Sequence, residues 1–137
     1  MADGYVVEAA GVTKRFRDSR RGALLTAVDG LDIRAARGKM TALIGSDGAG
    51  KTTFLHMVCG LMFPTEGILS VLGISVADKP ADVQRRLGYM PQKFGLYEDL
   101  TCMENMNLYA DLHGISAEER KERFEKLFHM TGLAPFA

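Results

Sequence analysis

Four residues in one short run could do phosphate chemistry together. In GSDGAGKTTF, from Gly45 to Phe54, residues Gly45, Gly50, Lys51 and Thr52 satisfy the spacing G-x-x-x-x-G-K-[ST]. Glycines let successive backbone N–H groups turn into one concavity. A helix that starts there adds its unpaired amides and the positive end of its dipole. Lys51 then offers an ammonium to the β- and γ-phosphates of a nucleotide, and the Thr52 hydroxyl can ligate Mg²⁺. The bland alternative is a glycine-rich strand-to-helix turn with an incidental lysine. The apolar run before the loop and the helical pattern after it favour the phosphate site.

Asp47 is the anomaly, a carboxylate inside a cradle for a polyanion. The ligand of such a loop is held by backbone amides, so the variable side chains, Ser46, Asp47 and Ala49 beside Gly48, are expected to radiate outward. Coulomb repulsion from Asp47 then reaches the phosphates only through water, which lowers affinity without closing the site.

The elements that must position this loop follow from patterning. Tyr5–Ala9 and Leu31–Arg37 read as strands, Ala23–Val28 as a third, and KRFRDSRRGA as a basic, turn-rich connection. KMTALIG reads as a short apolar strand entering the loop, and Thr52–Leu61 as a buried helix. FPTEG is a turn, ILSVLG a strand, and PADVQRRLGYMPQ a short polar helix followed by a brief strand near residues 88–90. Further on, Thr101 with Glu104 and Ser116 with Glu119 fit the capping box and start two helices. One carries Met103, Met106, Tyr109 and Ala110 at helical spacing, the other Phe124, Leu127 and Phe128. Both stripes read as packing surface.

Bulk properties bound the rest. The chain has 137 residues, the size of one domain, with 47% hydrophobic and 25% charged residues. Its 17 basic and 17 acidic side chains balance, which gives no electrostatic case for nucleic-acid binding. The two cysteines, Cys59 and Cys102, show no CxxC and no framework spacing; a single disulfide stays open, but two isolated cysteines suit a reducing compartment better. The N-terminal run lacks a signal-peptide pattern, and TFLHMVCGLMFP is too short to cross a bilayer. A soluble, cytoplasmic chain is expected.

The loop alone does not choose among phosphate-loop families; its neighbours do. RGKMTALIGSDGAGKTTFLHMVCGLMFPTEGILSVLG followed by LGYMPQKFGLYEDLTCMENMNLYADL closely resembles the ATP-binding cassette of ABC transporters, in particular the ATPase subunits of drug-export (ABC-2-type) systems. The similarity runs from about Val6 through Leu133. It implies an α/β fold: a P-loop NTPase core with an N-terminal antiparallel β subdomain over about 1–98, and the start of a helical subdomain over about 99–137.

By the same resemblance Gly45, Ser46, Asp47, Gly48, Ala49, Gly50, Lys51, Thr52 and Thr53 form the Walker A segment that binds ATP. Gln92 matches the Q-loop glutamine, which touches Mg²⁺ or the attacking water and links the site to the membrane subunits. Taken alone, a glutamine after Pro91 reads as a solvated turn residue. Phe16 falls where the family stacks an aromatic on adenine; the basic RDSRR after it could approach a nucleotide but reads more simply as a solvated loop. LYEDLTCMEN resembles the segment that receives the coupling helix of the membrane partner.

The implied cofactors are ATP and Mg²⁺. The implied partners are transmembrane permease subunits and a second ATP-binding cassette, with the chain peripheral on the cytoplasmic face of the membrane. Two departures stand out. Ser46-Asp47 replaces the usual Pro-Asn or Pro-Asp, and the chain shows no LSGGQ, no hydrophobic strand ending in Asp-Glu and no switch histidine. His56, His113 and His129 read as surface or core residues. A truncated domain is therefore expected, able to bind Mg·ATP but not to hydrolyse it efficiently. Two other classes stay open: a non-catalytic nucleotide-sensing or docking module, and a phosphate-loop small-molecule kinase, for which EERKERFEK would be a poor lid.

Overall fold

Alternation of apolar and polar residues sets up the first strand, β1 (Tyr5–Arg17), with Val7 and Ala9 turned inward and Glu8 and Ala10 outward. The computed structural model describes residues 4–17, 22–93 and 95–136, and these divide into two compact units after Tyr89. In the first unit β1 pairs antiparallel with β2 (Leu24–Ala36) on one side and with β3 (Glu66–Val71) on the other. A two-residue strand, β4 (Ile74–Ser75), completes the sheet in the order β2-β1-β3-β4. Two helices, α1 (Lys51–Val58) and α2 (Pro80–Gln84), belong to the same unit.

Irregularities give the sheet its shape. Ala9 pairs with Ile33 and Val12 with Leu31, so β1 carries one extra residue there. That bulge shifts the inward parity of β1, and Val12 is fully buried although it lies three residues beyond buried Ala9. Gly11 sits in the bulge at φ 58° and donates its N–H to Asp32 Oδ1 at 2.7 Å. Gly67 faces it at φ 84°; a Cβ there would lie 2.3 Å from the Gly11 carbonyl oxygen, so only glycine fits. A second irregularity lies between the pairs Lys14–Val28 and Arg15–Thr26, where Ala27 is the extra residue on β2.

The core of this unit packs Ala9, Val12, Val28, Leu69 and Val71 of the sheet with Phe54 and Met57 of α1, Val76 and Val83. Burying Phe54 and Met57 stabilises α1 on its sheet by about 1.5–3 kcal/mol each. The helix ends in a Schellman motif: Gly60 is at φ 65°, its N–H bonds to Met57 O at 3.0 Å, and Leu61 N–H bonds to His56 O at 2.9 Å. The expected extension of this helix to Leu61 is therefore cut short.

Other expectations also change. The strands read over Ala23–Val28 and Leu31–Arg37 are one strand, because Gly30 at φ 53° bends the chain without ending the ladder. Lys14–Arg17, read as connection, extend β1; Asp18–Arg21 lie outside the described residues. KMTALIG is not a strand: residues 40–46 have no regular structure, and Met40 and Ile44 stand 100% and 91% exposed. Such an apolar run becomes a strand when neighbours pair with it on both sides, and no described strand does. The brief strand near residues 88–90 is absent for the same reason.

The second unit holds α3 (Cys102–Leu112), α4 (Ala117–Thr131) and a short 3₁₀ turn (Ala134–Phe136). Thr101 caps α3 with a complete capping box: its hydroxyl accepts from Glu104 N–H at 3.2 Å, and Glu104 Oε2 accepts from Thr101 N–H at 2.9 Å. Ser116 caps α4 by accepting from Glu119 N–H at 3.3 Å, while the Glu119 carboxylate meets the Ser116 hydroxyl rather than its backbone. Asn105 is buried and ties the preceding loop to α3. Its Oδ1 accepts from Tyr97 N–H at 2.9 Å, and its Nδ2 donates to Tyr97 O, Leu100 O and Thr101 O at 3.0–3.1 Å. Met106, Tyr109 and Ala110 of α3 line an apolar hollow with Phe124 and Leu127 of α4, as the helical spacing of the stripes predicts.

Candidate functional site

The loop from Gly45 to Gly50 wraps the first turn of α1. Ala49 N–H bonds back to Ser46 O at 3.3 Å, and Phe54 N–H bonds to Gly50 O at 2.9 Å, opening the helix. Gly50 is its N-cap residue, in the left-handed region at φ 83°, and no side chain caps the helix start. The first amides of α1 are thus left for a ligand rather than for a serine or aspartate of the chain.

The cradle is held against the sheet by the absence of a side chain. A Cβ on Gly50 would lie 2.1 Å from the Ala27 carbonyl oxygen and 3.2 Å from a Val28 methyl. Gly48 has φ 78° but open space around it. Gly50 is therefore required by both conformation and contact, Gly48 by conformation alone. Ala27, the extra residue of the β2 bulge, is the piece of scaffold that sets the position of the loop. Nothing in the sequence marks Ala27, because the requirement falls on its main chain.

Lys51 lies half-buried at the first position of α1. Its ammonium donates to Gly45 O at 2.8 Å and to Ser46 O at 2.6 Å, so the charge is held over the mouth of the loop. Thr52 is exposed in the first helical turn and Thr53 half-buried. Ser46, Asp47, Gly48 and Ala49 are exposed, as is Gly45. A cleft of about 230 Å³ borders the loop, with Gly50, Lys51 and Phe54 on one side and Asp29 and Leu31 on the other.

Phe16 stands near the end of β1, where it pairs with Leu25, two residues from Ala27 along β2. Its ring is 36% exposed and carries the Lys14 ammonium at 5.4 Å from its centroid. The structure thus brings Phe16 to the same end of the β1–β2 ladder that supports Gly50. Gln92 is exposed in the second unit. His56 is half-buried on α1 and its Nε2 lies 3.1 Å from the Tyr89 hydroxyl, a structural pair rather than a catalytic one. Burial pushes the Cys59 thiol up, away from reactivity, and both cysteines are free. No cluster of metal-ligating side chains occurs among the described residues.

These features fit a nucleotide phosphate group: an uncapped helix start, a glycine whose Cβ has no room, and one ammonium at the rim. The profile of the ABC transporter family matches residues 28–137. The chain belongs to that family. A probable multidrug ABC transporter ATP-binding protein, YbhF of Escherichia coli K12, is 47% identical over 131 residues, covering 96% of this chain and 22% of that protein. The daunorubicin resistance ATP-binding protein DrrA3 of Streptomyces coeruleorubidus is 34% identical, covering 98% of this chain and 40% of that protein.

Among solved structures, the dimeric ATP-binding cassette MJ0796 in a post-hydrolysis state with ADP and Pi superposes with a TM-score of 0.80 at 27% identity, over 96% of this chain and 60% of that one. An ATP-binding subunit of an ABC transporter superposes with a TM-score of 0.72 at 31% identity, over 90% of this chain and 49% of that one. The architecture is part of the α/β cassette fold, and the chain spans between 22% and 60% of the length of these relatives.

Proposed function

We propose that this chain is the nucleotide-gripping part of the ATPase subunit of an ABC transporter of the export type, coupling Mg·ATP binding and hydrolysis to movement of a substrate across a membrane. The observation that carries this reading is the loop at α1, where Gly50 is pressed on Ala27 and Lys51 holds its charge over the Gly45 and Ser46 carbonyls. The multidrug and daunorubicin-resistance relatives support export.

Residues 1–98 serve as the β subdomain with the phosphate-loop core, and 99–137 begin the helical subdomain. The amides of residues 45–53 and the Lys51 ammonium hold the phosphates. The Thr52 hydroxyl is a ligand for Mg²⁺, and Phe16 offers its ring to the base. Gln92 provides a neutral amide that orients water or ligates the cation without taking its proton, and relays the state of the site to transmembrane permease subunits. ATP, when bound, supplies the phosphoanhydride bond whose hydrolysis drives the cycle.

A second cassette, on the same polypeptide or a partner, completes the site; the dimeric MJ0796 cassette supports this arrangement. The chain thus works at the cytoplasmic face of a membrane, and no described helix is long and apolar enough to cross one. By itself the chain binds Mg·ATP and turns it over poorly, because charge stabilisation in this reaction needs carboxylate and partner groups that its motifs lack. The test is ATP-driven transport by the full-length protein with its permease in vesicles. Transport abolished by Lys51→Ala supports the reading; transport that persists unchanged in that variant overturns it.

A further inference from the structure

We infer that Lys14 is a positioning residue for nucleobase binding: its ammonium fixes one face of the Phe16 ring and leaves the opposite face to a purine base. The inference rests on the reading of Phe16 as the base platform and adds the residue that makes it rigid. An isolated aromatic ring near a strand end turns about its χ angles and loses that freedom when a base stacks on it. A ring already held loses less, and the base binds more tightly.

Lys14 is held at both ends of its reach. Its Nζ donates to the Phe63 carbonyl at 2.8 Å and lies 5.4 Å from the Phe16 centroid, within the range of a cation–π attraction. The anchor itself is firm. Thr65 N–H bonds to Thr13 O at 2.7 Å, Arg15 N–H bonds to Thr65 Oγ1 at 3.0 Å, and Arg15 forms an ion pair with Glu66. The Glu66 partner raises the Arg15 pKa, which favours the charged guanidinium of the lacing. Lys14 and Phe16 are two residues apart on β1, the spacing that places side chains on one face of a strand.

The same segment reaches the phosphate loop. Lys14 pairs with Val28, and between Val28 and the partner of Arg15 lies Ala27, the residue on which Gly50 rests. One ladder therefore carries both the platform for the base and the support of the phosphate cradle. A cation on one face also withdraws electron density from the ring, which favours stacking of an electron-rich purine on the other.

The test compares Mg·ATP with Mg·tripolyphosphate, which has the phosphates and no base, by calorimetric titration of the chain in 0.15 M salt. At that salt, charges beyond about 8 Å are largely screened. Lys14→Met keeps the stem and removes the charge. It is expected to weaken Mg·ATP by about threefold or more while leaving tripolyphosphate within about twofold, and Lys14→Arg is expected to restore the difference. A general loss of structure would weaken both probes together. Phe16→Ala separates the two readings: if it removes the preference for ATP and Lys14→Met does not, the inference about Lys14 falls while the platform stands. If the unaltered chain shows no preference for ATP, or binds neither probe, both readings fall.

Discussion

Gly50 and Gly48 look alike in the sequence and differ in what they must do. Gly50→Ala places a methyl 2.1 Å from the Ala27 carbonyl at φ 83°, so the loop must leave the sheet. Nucleotide binding is expected to be lost, with a lowered Tm. Gly48→Ala meets nothing within 4 Å at φ 78° and is expected to cost only the left-handed strain, about 1–2 kcal/mol. Thermal melts and titration of the two variants in parallel check this; equal effects would remove the contact argument. The spacing of Gly45, Gly50, Lys51 and Thr52 marked the loop in the sequence, because a phosphate loop calls for glycine where the backbone turns and for Lys and Thr at the helix start. Lys14 and Ala27 were not legible in the same way, since one acts through a neighbouring ring and the other through its main chain. Asp47 is exposed on the loop, as are its neighbours from Gly45 to Ala49.

At the scale of elements, the helix starts and the main strands were readable, and the register and bulges of the sheet were not. Thr101 and Glu104 announce α3 because capping is local chemistry. The N–H and hydroxyl of Thr101 both hydrogen-bond the Glu104 carboxylate and hold its pKa below the ordinary range. A depressed carboxylate pKa contributes stability that is present above the unfolded value, about 4.3, and is lost as pH falls through the lower folded value. Helix α3 in the parent chain is therefore expected to weaken in acid below pH ~4, whereas Glu104→Gln shows a flatter profile by circular dichroism. A parent and variant with the same acid dependence would contradict the capping account.

Asn105 is a stronger constraint than its sequence suggests. Removing its side chain in Asn105→Ala leaves the Tyr97 N–H and the Leu100 carbonyl without a partner, while the Tyr97 and Thr101 carbonyls keep the backbone N–H groups of Leu100 and Asn105, at a cost of about 1–3 kcal/mol. Faster amide exchange confined to residues 95–101 is the expected signature; unchanged exchange there would show that the clasp does not hold the loop. The bulges at Gly11 and Ala27 escaped the sequence because register depends on which strands pair. KMTALIG failed as a strand for the same reason, since its apolar residues have no described neighbour.

On the proposed function, gripping and turnover are expected to separate in the molecule as a whole. In the full-length protein with its partners, Gln92→Ala is expected to bind Mg·ATP nearly as well as the parent while transport-coupled hydrolysis drops about tenfold or more. Normal coupling in that variant would remove the role given to Gln92. The central claim, that this chain carries a formed phosphate cradle, is tested most directly by calorimetric titration of the chain with Mg·ATP beside Lys51→Ala. Saturable binding that weakens about ten- to a hundredfold in the variant is expected, the loss of a charge-assisted contact to the phosphates. Equal binding by the two chains, or no binding by a folded parent, would contradict it.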